Sequence, residues 1–301
     1  MIRIGLALGS GGARGWCHIG VLRALEEAGI RPDVVAGTSM GALVGAAYCS
    51  GVLDRLEDFA RNITPLSMAR MIDPDLRAGG LVAGNAVVRA LEALDLRVTF
   101  ADLDRPFIAV TTDLYRGREL WLRDGALLPA VRASIAIPGI FTPVRHDNRW
   151  LMDGGMSNPV PVSACRALGA DIVIAVDPNA GNLGAERGGR RSLLPQVRIE
   201  ALIAQLPRQL QPAAAAYLAP EPEKTTQPLG YLEVISTAID VMIDQIRRSR
   251  LAGDPPDVMV DLDLSHLNVL SFHEAATAIE HGNAAMQVQL PRVLEGCRNS
   301  V

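Results

Sequence analysis

The fold class is indicated by residues 32–49, which read PDVVAGTSMGALVGAAYC. The beginning of this stretch is typical of a buried strand, and Ala42–Cys49 is typical of a helix built from small residues. Between them, Gly37 and Gly41 flank Ser39 in the pattern Gly-x-Ser-x-Gly. A serine between a strand and a helix is held on a tight turn with its hydroxyl exposed, which favours a nucleophile over a chance pattern. The helix that begins after Ser39 also favours developing negative charge there.

A similar unit comes first in the chain. Ile2–Leu8 is predicted to be a strand and Trp16–Ala28 a helix, and a glycine-rich loop joins them. Consecutive glycines let main-chain N–H groups converge on an anion. A phosphate or dinucleotide site is the competing interpretation, but Ser10 occupies the first position of a Gly-x-Gly-x-x-Gly frame and no P-loop lysine follows. An oxyanion hole beside Ser39 explains the loop better. Within the loop, Arg14 is predicted to orient the main chain, to attract an anionic head group or to be simply solvated.

Strands and helices continue to alternate along the chain, which predicts a mostly parallel sheet covered on both faces. The predicted strands are Phe107–Thr112, Glu119–Leu122, Trp150–Met152, Asp171–Asp177 and Asp257–Leu262. The predicted helices are Leu53–Ile63, Ala86–Leu94, Leu127–Ser134, Val160–Leu168, Tyr231–Leu251 and Phe272–His281, the last ended by Gly282. We divide the chain into a catalytic core (1–177), a loop-rich and partly amphipathic insertion (178–229) and C-terminal helices with a strand that complete the same domain (230–301).

Composition excludes several classes of protein. The chain has 301 residues, 49% hydrophobic and 21% charged, which is ordinary globular usage. A formal charge of −4 without a basic run argues against nucleic-acid binding. The four cysteines lie far apart and suggest neither a disulfide scaffold nor a zinc site. No apolar run reaches the about 18 residues that a spanning helix needs, and no signal peptide is evident.

The sequence therefore predicts a cytoplasmic protein that touches a membrane only from its surface. Arg187–Arg208 carries five arginines and one glutamate among leucines and isoleucines, a composition suited to an anionic bilayer. A solvated helix and a contact between copies of the chain are the competing interpretations, so homo-oligomer formation stays open.

A serine nucleophile needs a base, and the sequence offers two kinds. Chain order allows His266, His273 or His281 in a Ser–His–Asp arrangement. None of the three lies in a loop at the end of a strand. Asp153 does, because WLMDGG ends a predicted strand in a tight turn. From spacing alone, a base and a turn aspartate bonded to its own main chain are equally compatible with Asp153.

Three ordered motifs carry a resemblance to a known family. Gly-Gly-x-Arg-Gly at 11–15, Gly-Thr-Ser-Met-Gly at 37–41, and Asp-Gly-Gly at 153–155 with Asn-Pro-Val-Pro-Val behind it resemble the patatin-like phospholipases. The resemblance is in particular to bacterial members similar to the catalytic domain of neuropathy target esterase, and it covers Leu6 to about Asp177. The chain departs from the pattern only in small residues, with serine for glycine at position 10 and glycine for alanine at position 155.

The resemblance implies a three-layer α/β/α sandwich with a mostly parallel central sheet. It also implies a Ser–Asp dyad of Ser39 and Asp153 and an oxyanion loop of Gly11, Gly12, Ala13 and Arg14, with no cofactor and no metal. The implied activity is hydrolysis of carboxylic esters in phospholipids or lysophospholipids through an acyl-enzyme. An acyltransferase, a broad carboxylesterase and a non-catalytic lipid-binding regulator are the alternatives. An apolar set around Leu66–Ala83 fits a lid or an acyl-chain wall, although such a set is also typical of plain core.

Overall fold

The computed structural model describes residues 2–71, 73, 82, 84–181 and 231–299. Its strands are β1 Ile4–Leu8, β2 Val34–Thr38, β3 Phe107–Asp113, β4 Arg118–Leu122, β5 Val144–His146, β6 Arg149–Asp153, β7 Ile172–Asp177 and β8 Val258–Asp261. Its helices are α1 Cys17–Glu27, α2 Met40–Cys49, α3 Leu53–Arg61, α4 Pro65–Met71, α5 Asn85–Glu92, α6 Leu127–Ser134, α7 Val162–Ala167, α8 Tyr231–Gly253 and α9 Ala275–Asn299. Short 3₁₀ turns cover Gly12–Trp16, Phe100–Asp102, Gly154–Met156 and Phe272–Glu274.

The eight strands form one sheet in which β3, β2, β1, β7 and β8 run parallel in that order. The strands β1, β2 and β7 in the middle of the sheet are almost entirely apolar and buried, as strands covered on both faces must be. The remaining strands, β4, β5 and β6, are antiparallel additions around β3. Parallel strands place their carboxyl ends at one edge of the sheet, and the chain places its glycine-rich turns there.

Helices cover both faces of the sheet and enclose two hydrophobic clusters. The larger cluster lies under α1, α2, α3, α6 and α9. The smaller one packs against α7 and the end of α8. The predicted mostly parallel sheet between two helical layers is therefore confirmed. Within the described ranges, no helix combines the length and the apolar character needed to cross a membrane.

Three elements differ from the sequence prediction. The strand β5 and the helix α4 were not predicted, because each is short and has no periodic pattern of its own. The predicted end of the last helix at Gly282 is wrong, since α9 continues through Gly282 to Asn299. Arg187–Arg208 and nearly all of the 178–229 insertion lie outside the described residues.

Gly282 lies where α9 crosses α1, and it does not end a helix. A Cβ atom at Gly282 would collide with the main-chain carbonyl of Cys17 on α1, and a Cβ at Gly20 of α1 would collide with the carbonyl of Ile279 on α9. The glycines thus let the two helices approach with main chain against main chain. A glycine that is needed for close packing looks the same in a sequence as a glycine that stops a helix.

The substitution Gly282→Ala tests this interpretation. The added methyl group has no free space, so we expect the free energy of unfolding to fall by about 1–3 kcal/mol in urea titrations. Gly253→Ala is the matched control, because Gly253 ends α8 with no atom near its Cβ position. Equal stability of the two variants would contradict the close crossing.

Candidate active site

Strand β3 brings the two predicted site residues together. One edge of β3 pairs with β4, which leaves the other edge for β2 and β6. On that edge, Thr38 at the end of β2 lies opposite Val110. Asp153 at the end of β6 lies opposite Thr111, the next residue of β3. The carboxyl ends of β2 and β6 therefore meet end to end, and Ser39 follows directly after Thr38.

Ser39 occupies a strained turn between β2 and α2. Its main-chain dihedrals are φ 57° and ψ −123°, a conformation that costs a residue with a side chain about 1–3 kcal/mol. The flanking glycines are required by crowding: a Cβ at Gly37 would collide with the carbonyl of Gly41, and a Cβ at Gly41 with the carbonyl of Leu8. The turn places Ser39 immediately before the first residue of α2, where the helix dipole stabilises negative charge.

The side chain and the main chain of Ser39 have different partners. Its hydroxyl donates a hydrogen bond of 2.6 Å to Oδ2 of Asp153. Its amide donates to Oγ of Ser134 at 2.9 Å, and the Ser134 hydroxyl in turn donates to the carbonyl of Val110 at 2.6 Å. Ser134, which is fully buried at the end of α6, thus ties the strained turn to β3. The sequence analysis did not single out Ser134; the signal for it is a small polar residue that closes a helix whose other residues, apart from Arg132, are apolar.

Hydrogen bonds fix both the main chain and the side chain of Asp153. The amide of Gly155 donates to Oδ1 at 2.7 Å, the Asp153 amide donates to the carbonyl of Ala136 at 2.9 Å, and the Thr112 hydroxyl donates to the Asp153 carbonyl at 2.9 Å. Burial disfavours the charged form and raises the pKa of Asp153 to about 6, although the bonds from Ser39 and Gly155 act in the opposite direction. A carboxylate with this pKa is a better proton acceptor than an exposed one and is still ionised near neutral pH.

The glycine-rich loop offers fewer free amides than the sequence suggested. The amide of Ala13 donates to the carbonyl of Val269 at 2.8 Å, and the amide of Arg14 to the carbonyl of Gly11 at 3.2 Å. The amides of Gly11 and Gly12 donate to no acceptor among the described residues. Gly12 has φ 53° and lines the same cavity as Ser39. The interpretation of this loop as an oxyanion hole therefore narrows to the amides of Gly11 and Gly12.

Arg14 lies inside the protein and orients the loop, which was one of its three predicted roles. Its Nε donates to the carbonyl of Leu267 at 2.9 Å and its Nη1 to Oδ1 of Asn179 at 3.1 Å. Asn179 returns to the loop, because its amide group donates to the carbonyl of Ser10 at 2.6 Å. A buried guanidinium with these partners is neither solvated nor available to a head group.

An apolar cavity opens beside Ser39. Its empty space, including the mouth, amounts to about 1010 Å³, and its walls are hydrophobic apart from Gly12 and Ser39. Met68, Met71 and Val82 belong to these walls, so part of the apolar set around Leu66–Ala83 faces the cavity. Ile72, Leu81 and Ala83 lie outside the described residues. The cavity can take a hydrocarbon chain and place its polar end at Ser39.

The histidines have other surroundings. His266 and His281 face each other with ring centroids 5.4 Å apart, and His281 contacts the carbonyl of Thr277. His18 is buried, its Nε2 contacts the carbonyl of Gly9 at 2.8 Å, and burial lowers its pKa to about 4. The described hydrogen bonds of Ser39 include no histidine. Among the described residues, Ser39 therefore pairs directly with a buried carboxylate, at an edge of a mostly parallel sheet that lies between helices.

Comparison with known proteins identifies the family. The family model of the patatin-like phospholipases matches residues 6–166, so the chain belongs to this family of lipid ester hydrolases, and the resemblance noted in the sequence is confirmed. An uncharacterized NTE family protein of Mycobacterium bovis is 33% identical over 94% of this chain and 89% of its own length. Human patatin-like phospholipase domain-containing protein 6 is 38% identical over 58% of this chain, which corresponds to 13% of that protein.

Among solved structures, VipD from Legionella pneumophila matches with a TM-score of 0.49 and 14% identity, over 96% of this chain and 66% of VipD.

Ser134→Ala tests the role of the hydroxyl that holds the turn. The substitution leaves the Ser39 amide without its acceptor, which lowers stability by about 1–3 kcal/mol. Because the turn then no longer holds Ser39 firmly against Asp153, we expect kcat to fall by about 10- to 100-fold with KM little changed. Ser50→Ala is the matched control, since Ser50 is a buried serine whose hydroxyl also accepts a main-chain amide, from Arg97, at the far end of α2. Wild-type kcat in Ser134→Ala would contradict the assignment.

The buried carboxylate also predicts how stability depends on pH. Because the pKa of Asp153 rises to about 6 on folding, the folded state loses stability between about pH 4 and pH 6 as this group ionises. We expect Asp153→Asn to gain up to about 3 kcal/mol relative to the wild type above pH 6, and the gain to disappear toward pH 4. Urea titrations of both proteins across this range measure the difference. A difference independent of pH would contradict the buried, ionised carboxylate.

Proposed function

We propose that the chain is a serine acylhydrolase that cleaves carboxylic esters of phospholipids or lysophospholipids with Ser39 as nucleophile and Asp153 as base. One observation carries the proposal: the Ser39 hydroxyl lies 2.6 Å from the buried Asp153 carboxylate and lines the apolar cavity. The contact supplies proton transfer and the cavity supplies binding of an acyl chain. The membership of the chain in a family of lipid ester hydrolases agrees with both.

Acylation follows from the positions of three groups. Ser39 Oγ attacks the ester carbonyl of a chain bound in the cavity, and its proton passes to Oδ2 of Asp153. Negative charge then develops on the carbonyl oxygen, where the amides of Gly11 and Gly12 and the beginning of α2 stabilise it. When the tetrahedral intermediate collapses, Asp153 returns the proton to the leaving alcohol, which is the remainder of the lipid. The acyl group stays on Ser39.

Deacylation repeats the sequence with water. Asp153, ionised again, accepts a proton from a water molecule that attacks the acyl-serine carbonyl, and the same amides hold the second oxyanion. Collapse of this intermediate returns the proton to Ser39 and releases a free fatty acid. In each half of the cycle Asp153 accepts one proton and then gives it up, so the cycle needs no further acid or base.

The test combines labelling, product analysis and a pH profile. We expect a fluorophosphonate probe to label the wild type and the control Ser50→Ala but not Ser39→Ala, and we expect diacyl lipids or lysolipids to yield free fatty acid. Asp153→Asn should lower kcat by about 10²- to 10⁴-fold, the usual contribution of a general base. For the wild type, kcat/KM should be level above about pH 6 and fall tenfold per unit below it, because protonated Asp153 accepts no proton.

Asp177→Asn separates Asp153 from another buried carboxylate. Asp177 ends β7, which β1 separates from β2 in the sheet, and burial raises the pKa of Asp177 to about 6 as well. We expect Asp177→Asn to keep the acidic limb of the pH profile. If the acidic limb of the pH profile vanished in Asp177→Asn while Asp153→Asn stayed active, the assignment of Ser39 and Asp153 as the dyad would be wrong. If acyl transfer to glycerol or lysolipid exceeds the release of free fatty acid, the activity is that of an acyltransferase and not of a hydrolase.

A further inference from the structure

Two antiparallel hairpins project beyond the edge of the sheet that carries Ser39 and Asp153. One is the turn between β3 and β4, and the other is formed by β5 and β6. They are joined, since the amide of Leu114 donates to the carbonyl of Trp150 at 2.8 Å. We call their exposed side chains the hairpin surface: Leu114, Tyr115, Arg116, Arg118, Arg149 and Trp150.

The hairpin surface exposes apolar and aromatic groups. Tyr115 is 81% exposed, and Leu114 and Trp150 are each 39% exposed. Nothing in the part of the chain that the structure describes covers them. Tyrosine and tryptophan combine an apolar ring with a polar atom, which suits a boundary between water and hydrocarbon.

The ends of the same hairpins are cationic, with Arg118 and Arg149 on the strand face opposite to Leu114 and Trp150. Arg116, Arg118 and Arg149 are exposed around one shallow depression. Within the described ranges, Arg116 and Arg118 have no side-chain partner, and Nη1 of Arg149 reaches Asp113 only at 4.0 Å. Arginine side chains that are not neutralised by neighbours attract phosphate groups, which the guanidinium binds through two parallel hydrogen bonds.

The acidic groups nearby do little to cancel this charge. Asp113 is buried, and its carboxylate accepts the amides of Tyr115 and Arg116 in the turn itself. Glu119 pairs with Arg250 at 2.9 Å. Asp147, at the β5–β6 turn, is exposed and lies 3.5 Å from His146. The balance on the outer side of the two hairpins therefore stays positive.

The position of the hairpin surface links it to the candidate site. Trp150 precedes Asp153 by three residues on β6, which is about 10 Å along an extended strand. On the other side, Phe141, which lines the apolar cavity, precedes the start of β5 by three residues. A flat partner lying across the ends of both hairpins would thus lie near the strand end that carries Asp153 and near the cavity wall.

We propose that the hairpin surface docks this chain on an anionic lipid bilayer with the ends of both hairpins pointing at the membrane, so that Tyr115, Trp150 and Leu114 enter the interface and the three arginines bind lipid phosphates. The inference rests on the proposed lipid substrate, because a lipase that works on aggregated lipid must bring its site to the bilayer surface. The docked orientation shortens the path of an acyl chain from the membrane to Ser39.

The experiment measures binding of the full chain to vesicles of phosphatidylcholine, with and without phosphatidylglycerol, by co-sedimentation. The wild type should bind the anionic vesicles more tightly, and the triple variant Arg116→Ala/Arg118→Ala/Arg149→Ala should lose about 100-fold in affinity, at about fivefold for each arginine. Tyr115→Ser changes a single side chain at a turn, and its affinity for the anionic vesicles should fall about tenfold because the apolar contact is lost. The matched controls are Arg55→Ala/Arg292→Ala/Arg298→Ala and Val288→Ser, which alter exposed residues on α3 and α9.

A second readout separates this inference from the proposed function. The ratio of vesicle-lipid turnover to turnover of a water-soluble short-chain ester should fall in the hairpin variants and stay constant in the controls. Vesicle binding is measurable even if no ester is cleaved, so failure of the proposed function leaves the binding result intact. The inference is overturned if the wild type ignores anionic vesicles, or if hairpin and control variants bind equally well.

Discussion

Strand β3 pairs along one edge with the end of β2 and, one residue further, with the end of β6. This main-chain ladder fixes the distance between Ser39 and Asp153, which are separated by 114 residues in the chain. Because β6 runs against β2, their two carboxyl ends point at each other and not side by side. The 2.6 Å contact between the hydroxyl and the carboxylate is therefore a property of sheet register, and the strain of the serine turn is supported by hydrogen bonds that also end on β3.

Crowding around this junction accounts for its glycines. Gly37, Gly41 and Gly154 each lie where a Cβ atom would enter the main chain of a neighbouring segment. Segments packed this closely keep Asp153 out of bulk water, and this burial raises the pKa of Asp153. Removal of water thus serves two ends: it makes the carboxylate a stronger base and it strengthens every hydrogen bond offered to a developing oxyanion. The cost is a folded state that keeps a buried charge above pH 6.

Much of the fold and of the candidate site was predictable from the sequence. The alternation of apolar strands and helices gave the sheet class, and the glycine-flanked serine and the Asp-Gly-Gly turn gave Ser39 and Asp153 as candidates. Spacing alone did not give their pairing, because it left Asp153 equally compatible with a base and with a turn aspartate bonded to its own main chain; the family resemblance implied the dyad. Ser134 also escaped notice, because its role comes from contacts with β2 and β3 and not from a motif. Gly282 was misread for a related reason, since its function is the approach of another helix.

Local chemistry was thus determined by the sequence itself: which turns carry glycine, which strands are buried on both faces, and which side chains are able to attack or accept a proton. These features depend on residue type and on neighbours a few positions away. Only the tertiary structure decided which loop amides stay free, that Arg14 is internal, and that Asp153 reaches Ser39 directly. Such facts depend on strand register and on burial by distant segments, and no short stretch of sequence encodes either of them.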